Sequence, residues 1–216
     1  MMNSLESEFN IERIKSRMVL YNFLASAFNY PDKELAEGLS SGEFLSALKN
    51  TIFQKIIEDS MKLNIYIGSN KDDILLQLER DYTWLFFTSK PRVAYLFGSV
   101  YNEGKLYQES TFKITRLYYE TGLKLNESFG LPPDHIAVEL EFMAYLAFNQ
   151  IKAVNENNME NAFYGKEMEK IVFEEYLAPF ATKVGKSIKD QSKTPFYRTV
   201  GEITYNFFNT PLQAYM

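Results

Sequence analysis

The sequence contains no cysteine, and that absence removes disulfides, thiolate-bound zinc, iron–sulfur ligation and a cysteine nucleophile together. It contains a single histidine, His135. A zinc or copper site would therefore have to be built almost wholly from carboxylates, and serine-histidine-aspartate chemistry has one base to draw on. The Gly-x-x-x-x-Gly-Lys-Ser/Thr and Gly-x-Gly-x-x-Gly patterns are both missing, so the usual phosphate cradles have no representative. The longest apolar runs, such as Phe142 to Phe148, fall far short of the roughly 18 to 20 residues that span a bilayer. Met1 to Asn10 carries Glu6 and Glu8 and no basic stretch ahead of an apolar one, which is not a signal-peptide pattern and points to a cytoplasmic protein without a membrane span. Positive charge is also in short supply. With 23 Lys and Arg against 28 Asp and Glu the formal charge is −5, the wrong sign for a nucleic-acid partner.

What is present is a globular composition. The 216 residues are 46% hydrophobic and 24% charged, enough to bury a core in one domain covering 1–216. Aromatic residues make up 16%, more than a minimal core needs, which suits large internal contacts or a sticky external groove.

Helical periodicity dominates. Ile11, Ile14, Met18, Tyr21, Ala25 and Phe28 recur at steps of three and four up to Pro31, and Ser40, Ser41 and Gly42 interrupt shorter helical stretches before Gly68. Asn70 is a good N-cap for a helix carrying Leu75, Leu78, Tyr82 and Leu85, expected to end near Thr88. Ser89 to Tyr107 contains Pro91, Gly98 and Gly104 and lacks a sustained period, so it is expected as a long functional loop. A helix from Thr111 should stop at Gly122, with a punctuated stretch after it. Leu131-Pro132-Pro133-Asp134 reads as a helix start, with the aspartate complementing the dipole. The helix that follows, to about Val154, is apolar nearly all round and should be the most buried. After the polar run 155–158, a helix from Phe163 is expected to be bounded by Pro179 near Phe180, and a last stripe of Phe196, Val200, Ile203 and Phe207 follows Pro195. No segment alternates with period two, and no internal repeat occurs, so the fold class is all-α, an irregular single-domain bundle.

Asp134, His135, Glu139 and Glu141 form the densest polar cluster. His135 and Glu139, four residues apart, can share one helical face and either orient an imidazole, hold a metal, or make an ordinary hydrogen bond at the helix start. A di-iron bundle needs two Glu-x-x-His motifs, and the chain has none. No catalytic residue, metal or cofactor is expected.

The stretch Leu78-Glu79-Arg80-Asp81-Tyr82-Thr83-Trp84-Leu85-Phe86-Phe87, then Pro91, Ser99-Val100-Tyr101 and Glu109-Ser110-Thr111, resembles the pattern of the TorD/DmsD/NarJ family of molybdoenzyme chaperones. Pro133-Asp134-His135-Ile136-Ala137-Val138-Glu139-Leu140-Glu141-Phe142-Met143 is similar to the family's Pro-Asp-His turn opening a Glu-Leu-x-Phe-Met helix. Tyr176-Leu177-Ala178-Pro179-Phe180 and Phe196-Tyr197 follow its C-terminal pattern more loosely. The histidine and tryptophan often found there are replaced by Glu174, Glu175 and Tyr176.

The resemblance implies an all-helical cytoplasmic chaperone, not an enzyme. Its partner would be a molybdopterin-dependent oxidoreductase subunit, or the twin-arginine signal peptide of one, held until the cofactor is inserted and the enzyme exported. Such a peptide has a basic front and an apolar middle, so its receptor needs carboxylates beside an apolar groove. On this reading Asp134 and Glu139 meet the arginines while Tyr82, Leu85, Phe86, Phe97 and Tyr101 line the groove, with Pro91, Ser99, Pro133 and His135 completing the site. Asp134 and His135 should lie at a helix N-terminus beside the Ser89 to Tyr107 segment, with at least one carboxylate accessible. The alternative is a helical small-molecule or nucleotide-responsive regulatory module, which calls for a deep enclosed pocket; a carboxylate-based metal hydrolase would need several acids to converge. A homo-oligomer formed by exchange of helices is compatible with a long connection, but nothing in the chain demands it.

Overall fold

The computed structural model describes residues 9–124 and 130–216. Among them every regular element is helical. Asn10 opens α1 (Ile11–Phe28) by accepting the Arg13 N–H at 3.0 Å, and extended Asn29 closes it ahead of Pro31. Asp32 caps α2 (Lys33–Ser41) by accepting from the Leu35 N–H at 2.8 Å. Gly42, at φ 78°, then turns the chain into α3 (Glu43–Lys49), a left-handed conformation that a side chain would strain. The short α4 (Gln54–Ile57) runs on into a 3₁₀ stretch, Glu58–Tyr66.

Asn70 caps α5 (Lys71–Thr83) through the N–H groups of Asp72 and Asp73, as its position predicts. A wider π turn, Trp84–Thr88, extends α5 to the expected end. The segment from Ser89 to Tyr107 is not loop throughout, because Gly98–Glu103 forms α6. Six residues are too few for a helical period to stand out between two glycines. The Lys90–Pro91 peptide is cis. α7 (Glu109–Glu120) stops just before Gly122, at φ 85°. The punctuated stretch expected after it falls largely on 125–129, outside the described residues, as do residues 1–8.

The centre of the bundle is α8 (Ile136–Asn155), in which Leu140 and Met143 are completely buried; α1 lies along one side of it and α9 (Met159–Ile171) along another. Pro179 does not end the next helix. A π turn, Val172–Leu177, precedes it and leads directly into α10 (Ala178–Gln191). Proline has no N–H, and its ring crowds the carbonyl four residues back; the wider turn upstream makes room for that ring and lets the helix continue. α11 (Pro195–Phe208) packs closely on α10. Gly185 and Gly201 allow that approach, since a Cβ on Gly201 would sit 2.5 Å from the Lys189 nitrogen.

One ion pair is built into the core. Arg17, 1% exposed, donates to Glu169 at 2.7 and 2.9 Å and to the Tyr215 carbonyl at 2.9 Å. Glu169, wholly buried, also accepts from the Tyr21 hydroxyl at 2.9 Å and from Gln150 at 2.7 Å. A buried charge pair persists only when the remaining polar atoms are also bonded. This network therefore fixes α1, α8, α9 and the C-terminal segment to one another.

Candidate functional site

The segments singled out by sequence meet at the start of α8. The chain passing Leu96 to Gly98 pairs with Asp134 to Ile136 as an isolated antiparallel bridge. The Gly98 N–H donates to the Asp134 carbonyl at 3.0 Å and the Ile136 N–H to the Leu96 carbonyl at 2.8 Å. The Phe97 ring stands edge-on to His135 at 5.2 Å. From α7 the Tyr118 hydroxyl donates to the Pro133 carbonyl at 2.8 Å. Tyr101 stacks on Phe180 of α10, and its hydroxyl accepts from the Tyr95 N–H at 3.1 Å.

His135, not Asp134, caps α8. Its Nδ1 accepts from the Ala137 N–H at 3.2 Å, which requires an unprotonated Nδ1. Burial holds the imidazole pKa down to about 4, partly offset by the charge of Asp134. Asp134 turns the other way, and its Oδ2 accepts from the Ser99 N–H at 2.8 Å in the first turn of α6. The role expected for it at the head of α8 is thus filled one residue later. Glu139 lies under Gly98, where its Oε1 would be 3.6 Å from an added Cβ. Burial, reinforced by the negative charge of Asp134, raises its pKa well above the usual carboxylate range. Asp134 Oδ1, Glu139 Oε2 and Ser99 Oγ are buried with no hydrogen-bond partner among the described residues.

The accessible carboxylate expected at Asp134 or Glu139 is not found, since they are 1% and 2% exposed. Their carboxylates face inward because α6 and the bridge close over them. Tyr82, Leu85 and Phe86 are likewise core residues and do not line an open groove. They sit on the inner face of α5 and its π turn, where the Tyr82 hydroxyl donates to the Phe28 carbonyl at 3.1 Å. Ser99 is fully buried, Phe97, Tyr101 and Pro133 are half-buried, and Pro91 is exposed.

Two features escaped the sequence reading. Asp81 accepts from the Lys193 and Thr194 N–H groups and from the Thr194 hydroxyl, the shortest of these at 2.7 Å, and so ties α5 to the turn before α11. An acid on the apolar stripe of Leu78 and Tyr82 was its available signal. The second is an exposed aromatic pair, Tyr30 and Phe87, more than half exposed, flanking Tyr82 at 5.4 and 5.9 Å. Glu141 of α8 is exposed and accepts from Asn29, the neighbour of Tyr30, at 3.2 Å. Glu141 belongs to the polar cluster seen in the sequence, and its position two residues beyond Glu139 carries it to the opposite side of α8 from the buried acid.

Among the described residues no three His, Asp or Glu side chains are placed to hold a metal ion, and no helix is long and apolar enough to cross a membrane. A cavity of about 600 Å³ between α1, α4 and α11 shares no lining residue with the motif region.

A helical bundle closed around this turn defines a class of protein, and comparison with known proteins agrees. Residues 40–184, more than half of the chain, match the family model described as nitrate reductase delta subunit. The chain belongs to that family, and it is a redox enzyme maturation chaperone rather than an enzyme. Among similar proteins, the chaperone protein TorD of Vibrio parahaemolyticus is 23% identical over 201 residues, 92% of each chain. TorD of Escherichia coli is 29% identical over 134 residues, 60% of this chain and 64% of the relative. The fold is similar to the crystal structure of a protein from Archaeoglobus fulgidus described as a redox enzyme maturation protein. That similarity has a TM-score of 0.52 at 22% identity and covers 90% of this chain and 94% of the other.

Proposed function

We propose that this chaperone acts in the cytoplasm on a molybdopterin-dependent oxidoreductase subunit, binding its twin-arginine signal peptide and holding the immature enzyme for cofactor insertion and export. Tyr30 and Phe87 exposed beside the accessible Glu141 carry this reading, because they combine an apolar surface with a carboxylate as a basic-apolar peptide requires. Arginine favours bidentate contact with such a carboxylate, and the aromatic faces accept the apolar middle of the peptide. Tyr82, with Leu85 and Phe86 in the core beside it, supports this surface from beneath, while Asp134, His135, Glu139 and Ser99 hold the turn that opens α8. Pro91 follows Phe87 closely in the chain and is exposed, whereas Phe97, Tyr101 and Pro133 pack around the turn that opens α8.

The test is titration of a fluorescent twin-arginine peptide into the purified chain at low and high salt. Glu141→Gln should weaken binding by about fivefold and reduce its salt dependence, and Phe87→Ala should weaken it by about tenfold or more, both with unchanged thermal stability. Asp134→Asn should move stability more than affinity. Unaltered affinity in both surface variants would refute the surface named here.

A further inference from the structure

The cavity of about 600 Å³ between α1, α4 and α11 lies within the size range of ligand pockets. Its chemistry is unlike that of the chain as a whole. The chain carries a charge of −5, yet among the described residues the charged lining is two cations, Arg13 and Lys55, with no carboxylate. Lys55 is exposed and makes no ion pair among the described residues. Among the described residues Arg13 gives a single side-chain hydrogen bond, from one Nη to the Ala214 carbonyl at 3.2 Å, which uses one of the five donors of its planar fork. The exposed carboxamides of Asn206 and Asn209 also line the cavity, and their side chains make no hydrogen bond within the described residues. The apolar part is supplied by Phe53 and Tyr215, whose rings meet edge to face at 5.1 Å, with Ile52 and Ile56 beside them.

The C-terminus of α11 opposes an anion here, since its last carbonyls present partial negative charge. That opposition is reduced, because the Asn206 and Phe207 carbonyls already accept from the Thr210 and Tyr215 hydroxyls at 3.0 and 3.1 Å. Two cations and two free carboxamides at the rim, over an aromatic floor, are the complement of one kind of molecule. We propose that this cavity binds a small molecule with an anionic head, a phosphate or carboxylate, on an apolar, ring-sized body. The head sits between Arg13 and Lys55, and the body rests on Phe53 and Tyr215.

The experiment uses the full chain labelled with ¹⁵N, with amide shifts followed during titration with phenyl phosphate, phenylacetate, inorganic phosphate and benzyl alcohol. Phenyl phosphate or phenylacetate should move the amides of Gln54, Asn206 and Asn209 saturably, and the tighter of the two identifies the head group. Inorganic phosphate and benzyl alcohol should each bind about fivefold or more weakly. Lys55→Gln, at an exposed position, and Asn209→Asp, which adds a repelling charge, should each weaken the aromatic anion by about fivefold or more. Arg13→Gln is the less clean variant because Arg13 also holds the Ala214 carbonyl. Shifts that do not saturate, that map elsewhere, that persist in Lys55→Gln and Asn209→Asp, or that benzyl alcohol reproduces at equal affinity would overturn the site. None of these outcomes bears on the peptide surface at Tyr30 and Phe87, which shares no residue with this cavity.

Discussion

Replacing Glu139 by glutamine should change how stability depends on pH, and the neighbouring His135 makes the effect measurable. In the native chain burial works against the charged form of both groups. The Glu139 carboxyl titrates well above its ordinary value of 4.5, and the His135 imidazole is held down to about 4 from 6.5. Between about pH 5 and 6 the unfolded chain has ionised Glu139 and protonated His135. Folding therefore takes up about one proton at Glu139 and releases about one at His135. A raised carboxyl pKa lowers stability as pH climbs above 4.5, whereas a depressed imidazole pKa lowers stability as pH falls below 6.5. In the overlapping window the two slopes oppose and nearly cancel. Averaged over that unit the His135 slope amounts to about 1 kcal/mol, and a Glu139 that keeps its proton across the window supplies a slope of the same size and opposite sign. Glu139→Gln removes the downward slope, so its stability relative to the wild type should rise by about 1 kcal/mol from pH 5 to pH 6. His135→Asn, which retains an N-cap oxygen, should show the opposite slope of similar size. Urea unfolding followed by circular dichroism at half-unit pH intervals reads both slopes. A Glu139→Gln difference that is constant across the window would mean that Glu139 is ionised in the native protein, and the reasoning would fail.

Two further outcomes follow from buried polar groups. Arg17→Met should cost about 3–5 kcal/mol because it leaves the wholly buried Glu169 unpaired, and adding Glu169→Met should recover most of that loss in a double-mutant cycle. Asp81→Ala should cost about 2–3 kcal/mol by orphaning the N–H groups of Lys193 and Thr194, whereas Asp81→Asn retains an acceptor and should cost less, both read by chemical unfolding.

The bundle was legible because its helices carry their own local signals. Asn70, Gly42, Gly122 and Pro195 punctuate the chain where elements begin or end, and the apolar residues of α8 declare a buried centre without reference to any other element. Pro179 misled because the compensating π turn is a property of the backbone upstream and has no distinctive residue of its own. α6 was missed because six residues offer too little periodicity, although its first turn is held by Asp134 from across the bridge.

The site was harder to read than the fold because a residue type does not reveal which side of a layer its side chain occupies. Asp134, Glu139 and Glu141 are three acids within eight residues of one segment, equivalent in sequence. The bridge from Leu96 to Gly98 buries the first two, while Asn29 meets the third at the surface. The same separation runs through α5 and its π turn, where Tyr82, Leu85 and Phe86 face the core and Phe87 faces solvent. The motif therefore divides into an interior part, which fixes the turn at Asp134 and His135, and a surface part to which Phe87 and Glu141 belong. Substitutions in the interior part should alter stability and surface geometry together. If the proposed surface binds the peptide, substitutions such as Phe87→Ala and Glu141→Gln should change its affinity while leaving the unfolding curve in place, and that difference separates recognition from framework.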